Sequence, residues 1–239
     1  MTHTGNAHLP TTDDLCRSVL ANNRDSISIR KPELAVRKLA LILNAALELS
    51  NKKGFQAMSL RDLSQSSGVS MGGLYSYFDS KATLLKMILS EVTMAVENAL
   101  AKPPEEVRRD PRTHLMWLIE THIRLTEAML PWFTFSFMEA KNFPSTERKR
   151  AIDSEELTES YFAQVLKRGV KDGSFSIDMP PLMAALIKPL LQDWYVKRAK
   201  YRRRKVDIDS YIEMVQSIVL AACGAKAVGG DSKDASGTA

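Results

Sequence analysis

The sequence predicts an all-α chain, with a small N-terminal three-helix unit followed by a larger helical domain. Three observations carry that prediction. Apolar residues recur at helical spacing, as in Leu39, Ile42, Ala46 and Leu49, and no segment keeps the alternation of a strand. The breaks between periodic stretches are helix stops and starts: Gly54, Gly68, Pro103-Pro104, Pro111 and Lys171-Asp172-Gly173. The composition, 44% hydrophobic and 26% charged over 239 residues, suits one large globular domain or two small ones.

Residues 1–31 are polar and weakly periodic, and read as a flexible tail. Leu15, Val19 and Leu20 offer at most one helical turn. The tail ends in Arg30 and Lys31, a basic arm of the kind that can reach a minor groove. Pro32 opens the first long helix, because a first-turn proline gives up no intrahelical hydrogen bond. Gly54 closes that helix in the manner of a left-handed cap. Ser59 caps the next helix with Asp62 at its third position, a capping box, and Leu60 and Leu63 face inward. Gly68 makes the turn, where a positive φ is free of strain only for glycine. Ser70 caps a short helix that runs to about Tyr77. Asp79 and Ser80 then start a long linking helix of about 80–100, so the first domain is 32–90.

Beyond Pro103-Pro104, the second domain, 103–225, divides into helices at about 112–129, 132–141, 146–170, 180–200 and 208–224. Residues 226–239 are low-complexity and are expected to be disordered. No apolar run approaches the ~18 residues of a membrane span. The start, MTHTGNAHLPTTDD, lacks the basic-then-apolar pattern of a secretion signal. A cytoplasmic protein with no membrane partner is expected. Cys16 and Cys223 are the only cysteines, too few for a disulfide framework or a cysteine metal site. His114 and His122 lie two helical turns apart, too far for one metal, and read as surface or core-edge residues. No nucleophile–base set, glycine-rich phosphate loop or metal-ligand spacing occurs. The chain is therefore not expected to be an enzyme, and no cofactor or metal is expected.

Charge placement is more informative than the net charge of +5. Residues 30–90 hold nine basic and four acidic residues, and the rest of the chain holds 24 of each. The whole excess thus falls on residues 30–90, the basic arm and the first domain together, where a positive surface would release counterions from phosphates and steer the chain onto DNA. Residues 59–81 read SLRDLSQSSGVSMGGLYSYFDSK. Two short helices flank a tight turn, the layout of a helix-turn-helix whose second helix enters a major groove. Ser70, Gly72 and Gly73 are small, so the backbone beside Met71 can approach the groove floor. Tyr75 and Tyr77 each offer a hydroxyl for phosphate and a ring for sugar or a thymine methyl. Arg61 can reach a phosphate or a base. Lys81, at the start of the linking helix, reads as an anion clamp beside exposed N–H groups.

These motifs carry a resemblance. The set Gly68-Val69-Ser70, Gly73-Leu74-Tyr75, Tyr77-Phe78 and Ser80-Lys81, with ILNAALELSNKKGF at 42–55, resembles the DNA-binding domain of the TetR family of transcriptional repressors over about residues 37–88. The resemblance implies DNA contacts from Ser70, Met71, Gly73, Tyr75 and Tyr77, and backbone contacts from Ser59, Arg61 and Lys81. It implies a small core of Leu63, Val69, Leu74 and Phe78. Ser50 stands where the family usually has an aromatic, and Ser64 and Ser67 where it usually has alanines. Their hydroxyls can bond back to a carbonyl one turn earlier.

The resemblance further implies a homodimer on a pseudo-palindromic double-stranded DNA operator, and a small-molecule effector. The last two helices would build the dimer interface through Leu182, Leu186, Leu190 and Trp194 on one and Tyr211, Val215, Ile218 and Val219 on the other. The middle helices would line a pocket for a small, largely apolar effector with Trp117, Met129, Phe133, Phe137, Tyr161 and Phe162. The implied function is a ligand-responsive transcriptional regulator, a repressor released from its operator by the effector. The alternative is a helical interaction protein that keeps the motif without specific DNA binding. Seven basic residues between Lys197 and Lys205 read as a helix end suited to its dipole, as a site for an anionic acyl-coenzyme A ester, or as extra non-specific attraction to DNA.

Overall fold

The computed structural model describes residues 9–23 and 32–224. These form twelve α-helices and one 3₁₀ turn, with no strand among the described residues. The basic arm Arg30-Lys31 and the tail at 226–239 lie outside the described residues.

The reading of residues 1–31 as a flexible tail needs correction at its centre. Thr12–Asn22 form a helix, α1, opened by a capping box. The Asp14 amide donates to Thr11 Oγ1 at 3.2 Å, and the Thr11 amide donates to Asp14 Oδ2 at 2.9 Å. Leu15, Cys16 and Val19 share one face of this helix and are buried. They pack against α2 (Pro32–Lys53) and α5 (Lys81–Leu100). Their burial, not local propensity, is what makes so short a helix stable.

The first domain follows the predicted layout. α2 ends at Gly54, α3 spans Leu60–Ser67 and α4 spans Met71–Tyr75. Leu39, Ile42, Leu43, Phe55, Met58, Leu63, Leu74 and Phe78 form a core with almost no exposed surface. α5 belongs to both domains. It touches α1 at the first and packs on α7, α8 and α9 of the second.

The second domain comprises α6 (Glu105–Arg109), α7 (Pro111–Ala128), α8 (Leu130–Glu139), the 3₁₀ turn Ala140–Asn142, α9 (Ser145–Lys171), α10 (Pro180–Val196), α11 (Arg198–Arg203) and α12 (Ile208–Ala222). α9 is central and packs against α5, α7 and α10. α12 lies on α7 and α10. The helix expected at 180–200 breaks at Lys197, which takes φ −112 and ψ 32, and side-chain contacts span the break. Asp193 collects Lys197 at 3.0 Å, Lys200 at 2.5 Å and the Tyr201 hydroxyl. Arg198 forms a fork on Glu127 at 2.8 Å and lies 4.3 Å over the Trp194 ring. Three of the seven basic residues are thus committed to the fold.

Among the described residues, no helix is long and apolar enough to cross a membrane, and no group of three or more His, Cys, Asp or Glu side chains could hold a metal ion. Cys16 and Cys223 are both free and buried, and burial pushes their thiols up to about 12 and about 11.

Candidate nucleic-acid interface

The helix-turn-helix is assembled from short polar locks around a small apolar core. Ser59 Oγ accepts from the Asp62 amide at 3.1 Å, and Asp62 Oδ2 accepts from the Ser59 amide at 2.8 Å. Lys53 joins the same carboxylate at 2.6 Å. These contacts, with Lys53 first, hold the Asp62 carboxyl well below the usual carboxylate range. Gly68 takes φ +68 between α3 and α4. The unusual serines tighten this turn. Ser64 Oγ donates to the Val69 carbonyl at 2.7 Å, and Ser67 Oγ accepts from the Val69 amide at 3.3 Å. Both reach forward across the turn. Only Ser50 bonds back one turn, to the Ala46 carbonyl at 2.6 Å.

α4 presents a narrow outward edge. Ser70 caps it by accepting from the Gly73 amide at 3.2 Å. Ser70, Met71 and Gly72 are exposed, and Tyr75 is 54% exposed with its ring outward. Arg61, on α3, is exposed and has no partner among the described residues. Ser70, Met71, Tyr75 and Arg61 are thus all open to solvent.

Four other predicted contacts have a different local role. Tyr77 is 2% exposed, and its hydroxyl donates to the Ala35 carbonyl at 3.2 Å. It fastens the end of α4 to α2, so its assignment to a DNA-facing position is corrected. Tyr75 is the last residue of α4 and Tyr77 lies two residues past it, and the first faces out while the second faces in. Gly73 is needed for packing within the chain, since an added Cβ would lie 2.8 Å from Val69 Cγ1. Lys81 Nζ donates to the Gln56 and Met58 carbonyls at 2.8 and 3.0 Å and lies 5.2 Å from the Phe55 ring centre. An ammonium has three donors, so one is left to point elsewhere. Ser59 is exposed but engaged in its capping box.

Sequence reading counted Arg37, Lys38 and Lys86 only as charge. All three are exposed and have no ion-pair partner within 4 Å among the described residues. Their positions on the outer faces of α2 and α5 were open to a helical-wheel reading, since each lies off the apolar stripe.

In the second domain the predicted dimer residues separate into two groups. Trp194, Tyr211 and Val215 are buried inside the chain, and Trp194 donates its indole N–H to Glu127 at 2.9 Å. They are corrected to core residues. Leu186 is 60% exposed and Ile218 is 47% exposed, and Leu190 is half-buried. Leu182 and Met214 are exposed one turn from them. The open apolar surface of α10 is the first half of the expected stripe, Leu182 and Leu186, and that of α12 is Ile218 with Met214, while Val219 is buried with Tyr211 and Val215.

The six predicted pocket residues also separate. Phe133 and Phe137 line a cavity of about 110 Å³ between α5, α8, α9 and α10. Trp117 lines another, of about 450 Å³, beneath α1. Met129 and Phe162 are fully packed and Tyr161 is half-buried, and none of the three lines either cavity. Sequence reading missed Lys188 and Ser136, which line the first cavity. It also placed His122 at the surface or core edge. His122 is fully buried, with Nε2 3.5 Å from Lys188 Nζ, and both burial and that lysine hold its imidazole neutral.

Comparison with known proteins agrees with this geometry. The family model for bacterial regulatory proteins of the tetR family matches residues 42–88. The chain is similar to the HTH-type transcriptional repressor KstR2 of Rhodococcus jostii (strain RHA1). The two are 30% identical over 185 residues, spanning 75% of this chain and 87% of that one. It is also similar to an uncharacterized HTH-type transcriptional regulator, YfiR of Bacillus subtilis (strain 168), at 24% identity over 187 residues, 74% and 87% of the two chains. In fold it is similar to the ketosteroid transcriptional regulator KstR2 of Mycobacterium tuberculosis. That match has a TM-score of 0.61 and 18% identity over 84% of this chain and 98% of that one.

Proposed function

The chain belongs to the TetR family of bacterial regulatory proteins, and from that premise we propose that it is a homodimeric repressor released from a pseudo-palindromic operator by a small effector. The DNA-binding regulator is the family's common property; the dimer, the operator symmetry and the effector are our reading for this chain. One observation carries it: Ser70, Met71 and Tyr75 are exposed at α4, as is the unpaired Arg61 of α3, within residues 30–90, which hold the entire positive excess. Such a helix reads base edges while the surrounding cations neutralise phosphates.

Two-fold symmetry in a dimer calls for two-fold symmetry in its operator. The exposed Leu182 and Leu186 on α10, with Met214 and Ile218 on α12, support a dimer face, since a contiguous apolar patch on a chain in water marks a contact. α5 supports a route for the effector signal, because one helix spans the DNA-binding unit and the walls of the 110 Å³ cavity. An effector releases DNA only through its differential affinity for the two arrangements. The acyl-coenzyme A reading is weakened by the commitment of Lys197, Arg198 and Lys200 to Asp193 and Glu127, which leaves Arg202, Arg203, Arg204 and Lys205 exposed. A role on DNA puts the protein with the chromosome, in the cytoplasm.

Selection from random double-stranded DNA by the purified protein tests this reading. Recovery of a two-fold symmetric sequence, bound by two copies of the chain, is expected. Recovery of no sequence would favour the helical interaction protein instead.

A further inference from the structure

The 110 Å³ cavity has two unlike walls. Leu89 and Val92 of α5 and Phe133 and Phe137 of α8 make one side apolar. The other side, from α9 and α10, carries Arg148, Arg150 and Lys188 against a single lining carboxylate, Glu155. Glu155 is already engaged, accepting from Gln192 Nε2 at 2.6 Å. Arg148 is engaged too, donating to the Phe143 carbonyl at 3.1 Å.

Lys188 is only 7% exposed, and its one direct partner is the neutral ring of His122. No carboxylate lies within 4 Å of it among the described residues. Ser136 Oγ, on the same cavity, is shut off from solvent with no hydrogen-bond partner. A buried cation without a counter-ion costs stability that an apolar residue of similar size would not. An orphaned hydroxyl adds to that cost. Lys188, with no carboxylate beside it, and Ser136, with no hydrogen-bond partner, both belong to the lining of this space, and an acceptor that comes from outside would compensate them.

We propose that this cavity takes a small carboxylate with an apolar body, its charged head on Lys188 and Ser136 and its hydrocarbon against Val92, Phe133 and Phe137. The volume corresponds to roughly four waters at the ~30 Å³ share of each in the liquid, which fits a carboxylate head and a few carbons and excludes a nucleotide. A longer tail has an exit. An adjoining groove of about 480 Å³ shares Leu89, Thr93, Arg150 and Ser154 with the cavity. Its consequence at DNA rests on the effector reading above; the binding chemistry does not.

Lys188 is faced by His122 from α7 and, at longer range, by Glu155 and Glu159 from α9. No titratable side chain of α5 or α8 lines the cavity. Burial brings the amine down to about 8, partly offset by those two glutamates. Lys188 is thus mostly cationic at pH 7 and mostly neutral by pH 9.5, and carboxylate affinity falls across that interval.

Calorimetric titration of the full chain with straight-chain carboxylates of four to ten carbons, the matching primary alcohols and the matching alkylamines tests the proposal. The acids are expected to bind about tenfold or more tighter than the alcohols at pH 7, as a charge-assisted hydrogen bond from a buried ammonium predicts. That advantage should vanish in Lys188→Met, shrink in Ser136→Ala and fall from pH 7 to 9.5. Lys188→Met is expected to melt at or above the wild-type temperature, and Lys188→Gln carries the same test should the methionine variant not fold. Equal binding of acids and alcohols, tighter binding of amines, an undiminished advantage in Lys188→Met, or no binding of any acid overturns the proposal. Operator release, measured in parallel, separates the two readings. Binding of acid without release counts against the effector reading alone. Release by a compound that binds Lys188→Met equally well counts against this site alone.

Discussion

Glu139, the last residue of α8, accepts a hydrogen bond at 3.2 Å from the backbone N–H of Phe55, 84 residues earlier. The bond joins the end of α2 in the DNA-binding unit to the second domain. Beside it, Gln56 Nε2 donates to the Asn142 carbonyl at 3.1 Å, and the Phe55 and Phe135 rings meet edge-on at 5.5 Å. Glu139→Ala leaves a half-buried amide without an acceptor. It is expected to cost about 1–3 kcal/mol in denaturant unfolding, the range for leaving a buried donor unsatisfied. Glu139→Gln keeps an acceptor and should recover at least half of that. Equal stability of all three proteins would show that the junction is held by the aromatic contact alone.

Tyr75 and Tyr77 provide a matched pair. Tyr75→Ala should weaken operator binding by at least about tenfold, the value of one good groove or phosphate contact, with unfolding unchanged within about 0.5 kcal/mol. Tyr77→Phe should do the reverse, losing about 1 kcal/mol of stability with the hydroxyl bond to Ala35 and keeping operator affinity within about threefold of wild type. A large affinity loss in Tyr77→Phe would return that residue to the DNA-facing set.

Gly73→Ala tests whether this glycine serves packing. The new methyl must displace Val69, which sits 2.8 Å from its ideal place, so α4 shifts against α3. Circular dichroism should show the helical content retained, and gel-shift titration should show operator binding reduced by about tenfold or more, as expected when a reading element is misplaced by a fraction of an ångström. Wild-type affinity would mean that the neighbouring side chain yields freely.

The dimer face separates from the core by substitution. Leu186→Glu should give a folded monomer in analytical ultracentrifugation, since a charge cannot be buried unpaired at an interface. Trp194→Ala should instead cost about 3–5 kcal/mol of stability in the single chain, the range for truncating a large buried aromatic. A Leu186→Glu protein that remains dimeric would move the interface elsewhere.

Stability should also depend on pH through Glu91. This side chain is buried between α1 and α5, accepts from Ser18 Oγ at 2.9 Å, and is pushed up to about 7 by burial. The folded state therefore holds its proton more tightly than the unfolded chain, whose value is near 4.5. Stability is greatest below the unfolded value and falls as pH rises from about 4.5 to about 7. The loss is at most about 3.5 kcal/mol, since each tenfold difference in proton affinity between the two states is worth about 1.4 kcal/mol. Glu91→Gln should flatten this interval and stabilise the protein at pH 8, as read by thermal melting across pH.

Much of this was legible in the sequence because the first domain is specified locally. Ser59, Asp62, Gly68 and Ser70 act through hydrogen bonds and dihedrals within a few residues, so spacing alone reveals them. The helix at 12–22 carried the same kind of signal, Thr11 three residues before Asp14 and Leu15 one turn before Val19. Its polar surroundings concealed it, because its stability comes from α2 and α5. Which tyrosine faces DNA and which side of α10 faces solvent depend on the rotation of a helix against distant neighbours. Apolar type alone does not distinguish Trp194 from Leu186. Lys188 was hidden for the opposite reason: on a helix written PPLMAALIKPLLQDWYV, a lysine reads as the solvated side, and only tertiary packing puts it inside.

Whether this chain reads DNA sequence is decided by titrating the purified protein against its selected DNA, with excess non-specific competitor, over a series of salt concentrations. Counterion release makes binding weaken with salt in proportion to the phosphates neutralised, and base contacts preserve the preference over competitor as it does so. Binding of the order of 10⁻⁸ M or tighter is expected at physiological salt, with a two-fold symmetric footprint. Weak binding that competitor and salt both abolish, with no footprint, would contradict the assignment of α4 as a reading helix.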